Sequence, residues 1–254
     1  MRLFELDGRC ALVTRASKGI GAGLARGLAE AGADLILLAR GKQDLEQVRD
    51  QLRDTGRQIE IVAVDLLETK GIPAAYADLV DRFTAPDILV NNAGMTRRGA
   101  AHEVDLDDWQ QVLDLNLNAV FALSQAFARQ RIASGEPGKI INIGSLMSQS
   151  TRPNNAPYAA SKGGILLLTK ALSVDWAPHR ILVNAIGPGY IQTPLNQALV
   201  DDPEFSRWVE GRCPLGRWGQ PADLVGAAVF LASSASDFVT GQMLYVDGGW
   251  LARF

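Results

Sequence analysis

Seven short, almost wholly apolar runs recur along the chain, at Cys10–Thr14, Asp34–Ala39, Ile59–Val64, Ile88–Asn91, Ile140–Ile143, Ile181–Ala185 and Met243–Val246. Longer stretches with helical spacing separate them: Leu24 and Leu28 lie on one face of a helix expected from Gly19 to Gly32, and Leu45, Val48 and Leu52 recur at steps of three and four. A strand that is apolar throughout has to be covered on both faces, which an antiparallel sheet with one wet face does not provide. The pattern therefore predicts an α/β fold: a doubly wound parallel sheet of about seven strands with helices on both faces. Right-handed crossovers then put the ligand crevice at the carboxyl ends of the strands. No linker or internal repeat divides the sequence, so residues 1–254 are expected to form one domain. Within it, residues 189–219 combine several prolines with Trp208, Trp218 and three arginines, too long for an ordinary connection and expected to be a partly helical lid.

Composition narrows the function. The 25 basic and 28 acidic residues leave a net charge of −3, which offers nucleic acid no electrostatic attraction. His102 and His179 are the only histidines, which excludes a His-rich metal cluster, and no metal is expected. No apolar run approaches a membrane span, and Met1–Asp7 lacks a signal-peptide core. Cys10 and Cys213 lie far apart outside any C-x-x-C motif, as buried thiols in a reducing cytoplasm would.

The segment after the first strand reads Thr14-Arg15-Ala16-Ser17-Lys18-Gly19-Ile20-Gly21 and opens a helix. Gly19 and Gly21 there would let backbone N–H groups approach a pyrophosphate, although Leu24 breaks the general G-x-G-x-x-G pattern and helix–strand packing is the plainer use of such glycines. The second strand ends at Arg40, where an acidic residue would bind a ribose 2′-hydroxyl and an arginine can pair with a 2′-phosphate; with Lys18 and Arg15 nearby, NADP(H) is preferred over NAD(H). A solvated surface arginine is the alternative. Tyr158 and Lys162, four apart, share a helix face behind Asn155, a candidate N-cap, and Pro157. A phenol titrating near 10 needs a shift of about three units to work near neutrality, and a nearby ammonium is a suitable cause. Ser145 and Asn91-Asn92-Ala93-Gly94 end strands at the same sheet edge. Asn116 sits inside a helix expected over Asp108–Gln130, where asparagine is locally unfavourable.

Together these residues resemble the short-chain dehydrogenases/reductases over essentially the whole chain. The family's T-G-x-x-x-G-x-G matches Thr14–Gly21 except at Arg15, its N-N-A-G matches Asn91–Gly94, and its Asn-Ser-Tyr-Lys tetrad falls on Asn116, Ser145, Tyr158 and Lys162. The resemblance implies a nicotinamide dinucleotide bound by Thr14, Arg15, Ser17, Lys18, Gly19, Ile20 and Gly21 at the phosphate loop. It places Arg40, Asp65 and Leu66 near the adenosine, and Asn92, Ala93 and Gly94 along the cofactor. Pro188, Gly189, Ile191 and Thr193 flank nicotinamide, with Tyr158 and Lys162 beside its ribose. It implies further that Ser145 bonds the substrate oxygen, that Tyr158 moves the proton, that Lys162 lowers the Tyr158 pKa, and that Asn116 holds a relay water. A homotetramer built on the helix after Tyr158 and the helix carrying Asn116 is also implied. Arg15 departs where the family has glycine. If that position needs a positive φ, arginine is strained there, and its side chain either crowds the adenosine or reaches the 2′-phosphate.

Within the family, Asn92-Ala93-Gly94-Met95-Thr96-Arg97-Arg98 resembles a stretch of the gluconate 5-dehydrogenases and 2-deoxygluconate 3-dehydrogenases. Arg97 or Arg98 then offers a fork for a sugar-acid carboxylate, or is a solvated or interface charge. Met147, Asn155, Tyr190 and Trp208 are the other substrate-side candidates. Two other functions compete with this one: reduction of a 3-oxoacyl thioester, and a nucleotide-responsive binding protein that has lost turnover. The intact tetrad speaks against the latter.

Overall fold

Alternate residues of the central strand, β1 (Cys10–Thr14), enter two different cores. Ala11 and Val13 pack on one face of the sheet and Leu12 on the other, and all five residues are buried. The structure, a computed structural model, describes residues 2–253. In it β1 pairs in parallel with β2 (Asp34–Ala39) on one side and β4 (Ile88–Asn91) on the other. The complete sheet has seven parallel strands in the order β3-β2-β1-β4-β5-β6-β7, adding β3 (Ile59–Ala63), β5 (Gly138–Ile143), β6 (Ile181–Pro188) and β7 (Met243–Val246). The winding direction reverses between β1 and β4, so the carboxyl ends of those two strands open a crevice that no crossover covers.

Helices α1 (Gly19–Glu30) and α2 (Lys42–Gln51) share one core with α9 (Val225–Ala232). The opposite core takes α3 (Ile72–Arg82), α5 (Ala119–Ser134) and α6 (Ala156–Trp176). Phe127 of α5 is fully buried there; removing such a ring costs about 3–5 kcal/mol.

Three boundaries differ from the sequence pattern for identifiable reasons. Strand β5 begins at Gly138 and β6 runs on to Pro188, because tertiary pairing recruits residues that are not apolar: Gly138 aligns with Ile181, and Gly187 and Pro188 with Tyr245 and Val246. The helix carrying Asn116 is longer than expected and not uniform. Its first part, α4 (Leu106–Leu113), starts where the Asp105 carboxylate accepts a hydrogen bond from Asp107 N. A π-helical turn over Asp114–Asn118 follows and leads directly into α5. The hydrophobic period alone does not reveal that inserted residue, and such turns concentrate at functional sites.

Residues 189–219 leave and return to the sheet edge at one place. Ile191 bridges Gly219, Gly219 N donates to Tyr190 O, and Gln192 N donates to Gly219 O. Between these pinned ends lie α7 (Gln197–Val200) and α8 (Pro203–Arg212), the latter capped by the Asp202 carboxylate. Among the described residues no helix is long and apolar enough to cross a membrane.

Candidate active site

The carboxyl edge of the sheet is held by buried side chains bonded to one another. Thr14 Oγ1 accepts from Asn92 N (2.8 Å) and Ala93 N (2.9 Å), tying the loop after β4 to the end of β1. Asn91 donates to Ser124 Oγ and Asn142 Oδ1, and Asn142 donates in turn to Thr169 Oγ1, all at 2.9–3.0 Å. This chain joins β4 and β5 to α5 and α6 directly beneath the site. Asn142, Ser124 and Thr169 were not singled out from sequence, although an asparagine inside an apolar strand was a usable signal.

Above this floor, Ser145 follows β5 and Tyr158 lies in the first turn of α6. The Ser145 side chain lies near enough to the Tyr158 phenol to draw its pKa down. The Lys162 ammonium lies 5.7 Å from the centre of the Tyr158 ring and donates to the Ile143 carbonyl at 2.7 Å. Asn116, buried in the π-turn, accepts from Met95 N (2.8 Å) and donates to Met95 O (2.9 Å) and Ser161 Oγ (3.0 Å). Ser161 Oγ donates to the Tyr158 carbonyl, so the π-turn, the Met95 loop and the start of α6 form one unit. Ser145, Tyr158 and Lys162 thus meet at the crevice, with Asn116 buried behind them. A cleft runs past them from the phosphate loop to Asn155, Tyr190 and Asn196; its lining includes Arg15, Lys18, Arg98, Arg152 and Lys162 and contains no carboxylate.

Sequence comparison places this geometry. The family described as enoyl-(acyl carrier protein) reductase, within the short-chain dehydrogenases, matches residues 15–251. The chain belongs to the short-chain dehydrogenase/reductase family. It is 44% identical to a gluconate 5-dehydrogenase of Gluconobacter oxydans over 97% of its length and 96% of that protein's. It is 46% identical to a 2-dehydro-3-deoxy-D-gluconate 5-dehydrogenase of Escherichia coli, covering 98% of each. A crystal structure of a gluconate 5-dehydrogenase from Burkholderia cenocepacia in complex with NADP and tartrate superposes with a TM-score of 0.95 at 48% identity, covering 100% of this chain and 99% of that one. The protein is an oxidoreductase of alcohol and ketone groups.

In this short-chain dehydrogenase/reductase the Tyr158 phenol is held above its ordinary pKa by burial, with Ser145 and Arg15 drawing it down. Lys162 is itself pushed down to about 8, first by burial and then by the nearby Arg15 charge. Both side-chain N–H groups of Asn116 are committed to protein oxygens, so its amide positions the Met95 loop and α6.

Arg15 does have a left-handed backbone, with φ 49°, at the position where the family has glycine. Its guanidinium pairs with no carboxylate among the described residues; it donates to the Gly94 carbonyl at 2.6 Å. Gly21 is dictated by this same turn, because a Cβ there would collide with the Arg15 carbonyl and the Asn92 amide. Gly19 has φ 59° and faces Thr193 across the cleft. The open backbone at the amino end of α1, next to Lys18 and free of acidic groups, fits a phosphate-bearing dinucleotide.

Other cofactor candidates divide. Ile20, Asn92, Gly94, Pro188, Gly189, Ile191 and Thr193 line the cleft. Thr14 does not: its hydroxyl is buried and used by the Asn92–Ala93 loop. Ala93 and Leu66 are buried apolar packing, and Ser17 lies outside the cleft lining. Arg40 and Asp65 stand at the ends of neighbouring strands, 3.9 Å apart and both exposed.

At the substrate end, Arg98, Met147, Asn155 and Tyr190 line the cleft. Arg97 does not, because it is drawn away by an ion pair of 2.9 Å with Asp108. Asn155 occupies the N-cap position of α6 but makes no capping bond, since its side chain is buried at the cleft instead. Trp208 is set back from the cleft in an aromatic cluster, 5.8 Å from the Tyr190 ring, 5.2 Å from Phe205 and 5.3 Å from Trp250. Arg152, which sequence reasoning missed for want of any motif, stacks over Phe205 at 5.3 Å and lines the cleft with Arg98. The Tyr190 hydroxyl is buried without a hydrogen-bond partner.

Proposed function

We propose that this protein is an NADP(H)-dependent dehydrogenase of a sugar acid, interconverting a secondary alcohol such as that of gluconate with the ketone of 5-ketogluconate. The observation that carries the reading is the concentration of positive charge at the far end of the cleft. Arg98 and Arg152 both line the cleft there, near enough to Tyr190 to act on its charge, with no carboxylate in the lining. Two guanidinium forks and a phenol suit a carboxylate joined to a polyhydroxyl chain. The sugar-acid relatives support the same choice.

A bound nicotinamide supplies or accepts the hydride. This chain's residues do the rest. Arg98 and Arg152 anchor the carboxylate, and Ser145 and Tyr158 hydrogen-bond the carbonyl oxygen. Tyr158 Oη delivers the proton in reduction and takes it in oxidation. Asn116 keeps the Met95 loop and α6 in register. Residues 189–219 act as the lid of a single domain spanning 1–254, with the aromatic cluster around Tyr190 as its stiff inner face.

NADP(H) is preferred over NAD(H) because the exposed Arg40 is only loosely held by Asp65 and is available to a 2′-phosphate. Leu167 and Val174 on α6 and Phe121 on α5 are exposed apolar side chains on the two helices expected to meet symmetry mates in a homotetramer. Buried, unpaired Cys10 and Cys213 suit a cytoplasmic setting.

Oxidation of NADPH with 5-ketogluconate, an acetoacetyl thioester and simple diketones tests the assignment. Turnover is expected with the keto acid. Activity confined to the thioester overturns the substrate, and equal titration by NADH and NADPH overturns the role of Arg40.

A further inference from the structure

The Arg15–Gly94 hydrogen bond joins the loop after β1 to the loop after β4, the two strands between which the sheet reverses its winding. It therefore lies across the crevice in which a doubly wound sheet receives a dinucleotide. Only this one hydrogen bond, to a neutral carbonyl, is made by a guanidinium with five N–H donors. Among the described residues no carboxylate pairs with it, and its charged neighbours are Arg40 on one side and Lys162 and Tyr158 on the other. Burial lowers its pKa, as expected for a cation that lacks an anionic partner. The backbone beneath it is in the left-handed region, which an arginine enters only at a steric cost that glycine avoids.

We propose that Arg15 is the cation that grips the dinucleotide's diphosphate: the guanidinium strapped to Gly94 releases that carbonyl and pairs with a phosphate oxygen when the dinucleotide enters the β1–β4 crevice. The proposal rests on the NADP(H) reading above and adds a ligand contact at the phosphate loop. It separates the two arginines by the phosphate each reads, with Arg15 on the diphosphate shared by both cofactors and Arg40 on the 2′-phosphate of one.

Direct binding of NADPH, NADH and 2′-AMP by calorimetry, to the wild type and to R15M, R15K and R40M, tests the division. All the Arg15 variants keep a side chain at the left-handed position, so backbone strain is common to them, and circular dichroism checks their folding. R15M is expected to weaken NADPH and NADH alike by about ten-fold or more, the size of one lost charge-assisted hydrogen bond. It should also flatten the salt dependence of NADPH binding and leave 2′-AMP unchanged. R15K recovers part of the loss, and R40M weakens NADPH and 2′-AMP but not NADH. The proposal is overturned if R15M binds NADPH as tightly as the wild type or more tightly, which makes the side chain a mere obstruction. A loss confined to NADPH and 2′-AMP overturns it as well, by assigning Arg15 to the 2′-phosphate. Failure of the wild type to bind either dinucleotide overturns the NADP(H) reading itself, a result no Arg15 variant can produce alone.

Discussion

The floor of the cleft and its substrate end are built by opposite rules. At the floor, Thr14, Asn91, Asn142 and Asn116 are buried and bonded to partners within the protein, so each has one position and little left to offer a ligand. At the substrate end, the Arg98 and Arg152 side chains line the cleft, and the Tyr190 hydroxyl is buried nearby, all without hydrogen-bond partners among the described residues. A satisfied buried network rigidifies what it holds, whereas donors left unpaired in a cleft gain free energy only when something binds. Ser145, Tyr158 and Lys162 lie between the two, lining the cleft itself.

Substitutions on either side should separate these rules. The largest effect is expected where the two regions meet: Tyr158→Phe should lower kcat by about 10²–10⁴-fold with little change in KM, read by steady-state NADPH oxidation. A loss expressed mainly in KM would place Tyr158 with the binding groups instead. At the floor, Asn142→Ala strands the Asn91 amide and the Thr169 hydroxyl, and urea unfolding should show a loss of about 2–4 kcal/mol.

Lys162 gives a pH signature of the buried region. With a folded-state pKa of about 8, below the ordinary lysine value, the unfolded chain binds more protons between pH 8 and about 10, so this group adds stability as pH rises through that window. Wild-type stability should therefore rise relative to Lys162→Met by up to about 2–3 kcal/mol over that range in pH-dependent unfolding. A flat difference would mean that Lys162 stays charged in the fold.

At the substrate end the effects move to binding. Arg98→Met should raise KM for the keto acid by about ten-fold while leaving the unfolding midpoint in place, and Arg152→Met should behave alike. The smallest effect belongs to Tyr190→Phe, which removes a hydroxyl without a partner: stability should hold or rise by a few tenths of a kcal/mol, and KM should rise only modestly. A clear loss of stability there would show that the hydroxyl is bonded within the protein, and the comparison would fail at that point.

Much of this was legible in the chain because the relevant signals are local. Apolar runs covered on both faces prescribe a parallel sheet, and strand ends prescribe where Ser145 and Asn92 emerge. The four-residue step of Tyr158 and Lys162 prescribes one helix face. Arg15 was also recognisable as a residue at a glycine's place, and its positive φ follows from that turn. The π-turn at Asn116 was hidden because one inserted residue barely disturbs a hydrophobic period. Arg152 was hidden because it belongs to no motif and reaches the cleft only through the path of the loop after β5.

The sequence by itself therefore determined the strands of the sheet and the shared helix face of Tyr158 and Lys162, since each depends on spacing within one element. The tertiary structure decided which way the long cations point. Arg97 turns to Asp108, Arg98 and Arg152 converge on the cleft, and Arg15 crosses to Gly94, because a flexible side chain is directed by partners that other segments bring within reach.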